Sequence, residues 1–296
     1  MNKYILGATL AIGLASCGRF GNKEEDQQVK GERIVSVSKQ HSEIMYALGA
    51  EKNLVAVDIS STYPPAIKKL PTVGYHRALS LEGLLAAKPT LILHDGHSSI
   101  GPDHVVSQLK QLDIPMKEFS VKASTLDSTI LLMREIGSYF GKEKQADSLC
   151  RILDADMKLA MEQAKAYQHK PKVLVIHFGQ ASNVYLVVTK KNTGAKMVEW
   201  AGGTMAVDDP KAMKQLSAEV VAKSDPDVIL LTDFGYDRLK GSSDKISELP
   251  GVSSTKAFKN GHIYRVEEHD LIYFGPRTGK NVLALQKLIH PDEQVQ

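Results

Sequence analysis

One pair of segments narrows the possible folds more than anything else in this chain. Leu79-Ser80-Leu81-Glu82-Gly83-Leu84-Leu85-Ala86-Ala87-Lys88-Pro89-Thr90-Leu91-Ile92-Leu93 lines up without a gap on a later stretch. That stretch is Leu216-Ser217-Ala218-Glu219-Val220-Val221-Ala222-Lys223-Ser224-Asp225-Pro226-Asp227-Val228-Ile229-Leu230, at a constant offset of 137. Leu, Ser, Glu, Pro, Ile and Leu coincide. In each copy the serine can cap a helix, the glutamate falls in its first turn, the proline stops it, and an apolar strand follows. Six matches in register, each inside a helix–strand unit, point to duplication.

The rest of the chain keeps the same rhythm. Strand-like runs at Arg33–Val37, Leu54–Val57, Leu91–Leu93 and Met116–Phe119 alternate with helical spacing, as parallel βα units do. Thr125–Phe140 and Glu143–Tyr167 form the longest helical region, which Pro171 closes, and the alternation restarts at Val173. The expected fold class is α/β, with two Rossmann-like lobes, central parallel sheets and one long backbone helix between them. The lobes are placed at residues 33–123 and 171–296, and the linking helical region at 124–170. With 43% hydrophobic and 24% charged residues the composition is globular, and a net charge of +3 without a basic block argues against nucleic-acid binding. A monomer is expected.

The N-terminus carries Lys3, an apolar run from Ile5 to Leu14, and then Leu14-Ala15-Ser16-Cys17. The run is too short to span a bilayer as a helix, and it reads as a lipoprotein signal over residues 1–17 whose cysteine is acylated. Residues 18–32 are polar and charged and read as a flexible tether. The expected location is the periplasm or cell envelope, with the protein anchored to the membrane through lipid on Cys17. Processing would leave Cys150 without a disulfide partner.

Two facing α/β lobes place a ligand in the crevice between them, against the loops at the carboxyl ends of the strands. Those loops carry Tyr63, Tyr75, Tyr236, Tyr273, Phe178, Phe234 and Phe274, with His41, His76, His94, His97, His177 and His269. Arg77, Arg238 and Arg277 are also in reach. Tyr75 and Arg77 stand out: a phenolate can ligate ferric haem iron, and a nearby guanidinium favours the phenolate. Aromatic walls, soft donors and arginines suit a flat, apolar, anionic, iron-bearing ligand.

Other chemistries have weaker signals. His94-Asp95-Gly96-His97, with His104 beyond, could hold a free divalent metal, although a polar surface loop explains it as well. No Gly-x-Ser-x-Gly elbow, phosphate loop or His-Glu-x-x-His helix is present, so a hydrolytic enzyme is disfavoured.

At this point the chain resembles the substrate-binding lipoproteins and periplasmic proteins of bacterial ABC importers, and more closely their haemin-binding branch. The likeness rests on Glu43-Ile44-Met45-Tyr46-Ala47-Leu48-Gly49-Ala50, on Leu70-Pro71-Thr72-Val73-Gly74-Tyr75-His76-Arg77-Ala78-Leu79-Ser80-Leu81-Glu82-Gly83, and on Phe274-Gly275-Pro276-Arg277-Thr278. It implies a class III periplasmic binding protein that is not an enzyme and carries ferric haem as cargo to a permease and its ATPase. It further implies Tyr75 as the iron ligand, Arg77 as its support, and Glu82 and Glu219 as permease-docking acids, one per lobe. His177 and Tyr236 are candidate haem contacts from the second lobe, with His269 a looser one. Similar proteins place a histidine directly before a glycine here, whereas Phe178 precedes Gly179 and His177 lies one position earlier, on the opposite face of a strand. Siderophore and cobalamin carriers share the fold and are the closest alternatives.

Overall fold

A computed structural model of the chain describes residues 31–75, 78–96, 99–180 and 182–293. The first half runs β1 (Ile34–Ser36), α1 (Lys39–Leu48), β2 (Leu54–Val57), α2 (Leu81–Ala86), β3 (Leu91–His94), α3 (Asp103–Gln111) and β4 (Met116–Glu118). Its sheet is wholly parallel, in the order β2-β1-β3-β4. Two helices follow, α4 (Leu126–Tyr139) and α5 (Glu143–Ala166).

The second half begins with β5 (Lys172–Gly179), β6 (Val184–Val188), α6 (Gly194–Trp200), β7 (Thr204–Met205), β8 (Met213–Gln215), α7 (Ala218–Ser224) and β9 (Val228–Thr232). It ends with α8 (Asp233–Arg238), α9 (Ser243–Ser247), α10 (Lys256–Lys259), β10 (Ile263–Val266), α11 (Glu268–Ile272) and α12 (Thr278–Ile289). The strands β10-β9-β5 are parallel, as expected. The sheet is nevertheless mixed, because β6 runs antiparallel to both β5 and β8. The turn after Gly179 sends the chain straight back as a hairpin, and a hairpin can only pair antiparallel.

The repeat is visible in the topology. β1-β3-β4 and β5-β9-β10 have the same order and direction. α2 and α7 precede the equivalent strands β3 and β9. Ser80 caps α2 by accepting the Gly83 N–H at 3.1 Å, and Ser217 caps α7 by accepting that of Val220 at 3.3 Å.

Each sheet has an outer cluster of its own, around Val35, Leu84 and Ile92 in the first lobe and Ile176, Val221 and Leu231 in the second. The inner cluster is shared: it runs from Ile44 and Leu132 through Leu153 and Met157 to Val198 and Leu285. Helix α5 carries this continuity. Its 24 residues span ~36 Å, and its buried stripe is Ala146, Cys150, Leu153, Met157 and Ala160. Glycines let the neighbouring helices approach it. A Cβ on Gly137 of α4 would stand 2.5 Å from the Ala146 Cβ, and one on Gly279 of α12 would stand 2.5 Å from the Asp156 Cβ.

Candidate ligand cleft

Tyr75 follows a stretch laid against β2. The Val73 N–H donates to the Val57 carbonyl at 2.9 Å, and the Ile59 N–H donates to the Gly74 carbonyl at 2.9 Å. These bonds put Tyr75, half-buried, beside the carboxyl end of β2. The loop next to it is held from below by Asp58, which is fully buried and accepts hydrogen bonds from the hydroxyls of Ser60 and Ser61. Ile59 and Tyr63 are left exposed on that loop. Arg77, His76, His97 and Cys17 lie outside the described residues.

The second feature is a set of buried charges crossing between lobes. Lys39, Gln40 and Glu43, on one face of α1, meet α11 and the segment after it. The Lys39 Nζ lies 2.9 Å from Glu268 Oε2 and 4.2 Å from the Tyr273 ring centre. The Gln40 amide donates to the Phe274 carbonyl. Glu43 accepts from His269 Nε2 at 2.5 Å and from Arg277 at 2.8 and 3.2 Å. Arg277 also binds Asp270 at 2.7 Å and sits 3.4 Å over the Tyr63 ring.

Burial alone would favour the neutral forms of these groups, and the pairing overrules it. Burial pulls the Lys39 ammonium down, yet the Tyr273 phenol and Glu268 carboxylate carry its net pKa upward. Burial pushes Glu43 and Glu268 up, yet hydrogen bonding and charge interaction with His269 and Arg277 for the one, and with Lys39 and His177 for the other, hold both below the usual carboxylate range.

Several residues expected to line the cleft have partners within the protein. His269 and Arg277 are bound to Glu43. Phe274 is buried against Trp200, with ring centres 5.2 Å apart. His177 is also buried, with Nδ1 3.3 Å from the Thr232 hydroxyl and 4.0 Å from Glu268. Lys39, Glu43 and Glu268 escape a sequence reading, since the α1 and α11 sides of the strut lie more than 220 residues apart. The signal available was Lys39 and Glu43 at i, i+4 beside the apolar positions of α1.

The carboxyl edge of the second sheet presents another arrangement. Phe178 and Tyr185 face each other across β5 and β6, ring centres 5.0 Å apart, and the Tyr185 hydroxyl donates to the Gly235 carbonyl at 3.0 Å. The Arg238 guanidinium lies 4.8 Å over the Phe178 ring. Tyr236 folds back instead: its ring abuts Gly241 and packs on the outer cluster of its own lobe. Asp233, buried at the start of α8, accepts the Glu268 N–H at 3.3 Å. Burial and the adjacent Glu267 push its carboxyl up to about 7.

Elsewhere, Asp95 pairs with His41 at 2.9 Å, and His94 Nδ1 accepts the Gly96 N–H at 3.0 Å. Among the described residues no group of three or more His, Cys, Asp or Glu is placed to hold a metal ion. Glu82 and Glu219 are both exposed, each in the first turn of its helix, on different lobes.

The sequence pattern of the periplasmic binding protein family matches residues 34–269. The chain belongs to the periplasmic binding protein family. Among solved structures, this binding protein is similar to the periplasmic heme-binding protein RhuT from Roseiflexus sp. RS-1. That likeness has a TM-score of 0.79 and 31% identity and covers 88% of this chain and 98% of the other. Among sequences, it is 29% identical over 273 residues to the ABC transporter substrate-binding lipoprotein YvrC of Bacillus subtilis, covering 90% and 83% of the two chains. It is 28% identical over 222 residues to a vitamin B12-binding protein of Pectobacterium atrosepticum, covering 73% and 74%.

Proposed function

We propose that this periplasmic binding protein captures ferric haem between its lobes and delivers it to the permease and ATPase of an ABC importer, from a lipid anchor on Cys17. The observation that carries this reading is Tyr75 at the carboxyl edge of the first sheet, with the preceding Gly74 carbonyl pinned by the Ile59 N–H. Tyr75 supplies the phenolate to iron, and Arg77 stabilises that phenolate. Ile59 and Tyr63 offer apolar surface beside it. The haem-binding neighbour supports the cargo class. A phenolate prefers Fe(III), which fits uptake of oxidised haem.

A corrinoid is the second reading, favoured by the vitamin B12-binding relative. A haemin titration of the full-length protein separates the two. Haem capture predicts a Soret band that saturates at a fixed stoichiometry and a tyrosinate charge-transfer band. Tyr75→Phe keeps the ring and removes the ligand oxygen, so that band disappears and haemin affinity falls. A variant that keeps both would remove Tyr75 from the iron.

A further inference from the structure

Three arginines of the second lobe stand near the carboxyl edge of its sheet, and their carboxylate partners differ. Arg277 is taken up by Glu43 and Asp270. Arg265 is held by Asp237 at 2.8 Å and by Glu267 at 2.5 Å. Arg238 is exposed and has no hydrogen bond or ion pair among the described residues. It is nevertheless placed, because its guanidinium lies on the Phe178 ring, and Phe178 is braced from behind by Tyr185. Tyr185 is fixed in turn by its bond to the Gly235 carbonyl.

An arginine lying on an aromatic ring keeps its N–H fork free at the rim, ordered in advance for a planar bidentate acceptor. The acids nearby are committed: Asp237 to Arg265, and Asp233 to the Glu268 N–H. None of these acids reaches Arg238, so its exposed fork is open to an acceptor from outside the protein.

We infer that Arg238 is the carboxylate-binding residue of the second lobe and selects a tetrapyrrole bearing free carboxylates over one whose side chains are amides or esters. This inference rests on the tetrapyrrole reading above and sharpens it. Haem carries two propionates, whereas the side chains of the corrin ring are amidated, so an arginine in this position separates the two ligand classes found among the relatives.

The test compares haemin with haemin dimethyl ester, which has the same ring and iron but no carboxylate. The full-length protein is expected to bind haemin roughly ten- to hundredfold more tightly than the ester, the range of a hydrogen bond to a charged group. Arg238→Gln should abolish that preference by weakening haemin alone, leaving ester affinity and the iron charge-transfer band unchanged. Arg238→Lys, which keeps charge but loses the fork, should retain part of it, and the preference should shrink at high salt. A wild type that binds haemin with its charge-transfer band, beside an Arg238→Gln variant that still prefers the free acid, overturns the inference and spares the haem reading. A wild type that binds neither porphyrin overturns both.

Discussion

At the scale of single residues, Asp233 and Glu267 meet where β9 and β10 end. Arg265 keeps Glu267 ionised, while burial and Glu267 itself keep a proton on Asp233, whose pKa rises to about 7. An unfolded aspartate titrates near 4. Between those values the native state holds a proton that the unfolded chain has released, so this group's contribution falls as pH rises from about 4 to about 7. Glu43 and Glu268 act in the opposite sense. Their depressed pKa values give stability that is present above the unfolded carboxylate pKa and lost as pH drops through their folded values. Asp233→Asn can still accept the Glu268 N–H and donate to Glu267. It should remove the decline between pH 4 and 7 and stand above the wild type at pH 8 in urea midpoint. A midpoint curve parallel to the wild type across that window would count against the shared proton.

At the scale of elements, α5 decides how the helices around it meet. The closest backbone to a Cβ on Gly279 is the Asp156 carbonyl carbon and the Met157 nitrogen, both at 2.9 Å, so no side chain can simply swing away. Alanine is the better helix former by ~1 kcal/mol, but overpacking a helix contact costs ~1–3 kcal/mol. Gly279→Ala should therefore destabilise the protein, read as a lower urea midpoint with an unchanged slope. The helix itself was legible, because its apolar spacing continues for more than twenty residues. The first sheet was legible for a similar reason, as short β-branched runs between helices. β6 and β8 were not. They are short, only partly buried and paired antiparallel, so they lack the continuous apolar run of a buried parallel strand. In the candidate site, Tyr75 and the capped glutamates were readable from local motifs. The role of Arg277 was not, because an arginine in a loop reads the same whether it awaits a ligand or is bound to a carboxylate 234 residues away.

At the scale of the molecule, the lobes are joined twice: through the core around α5, and through the strut from α1 to α11 and the segment beyond it. Breaking a buried ion pair from one side costs ~3–5 kcal/mol, because the partner stays behind uncompensated. Glu43→Gln should therefore lower stability by about 3 kcal/mol, the low end of that range because Arg277 keeps Asp270. Small-angle scattering should also show a broader spread of lobe separations than in the wild type; an unchanged profile would mean that α5 alone sets the geometry. Reversing Glu82 or Glu219 to lysine should abolish uptake in a reconstituted transporter while leaving haemin binding within about twofold, since both side chains are exposed and surface changes rarely disturb the fold. Loss of haemin binding instead would assign these acids to the fold. The two glutamates ride on separate lobes, so the span between them is set by both connections, the core around α5 and the strut from α1 to α11. As the docking acids that the family resemblance implies, they would make the protein a gauge of preset width: a partner that grips both ends must be cut to that width, and adding a single turn to α5 would spoil the match while leaving each end intact.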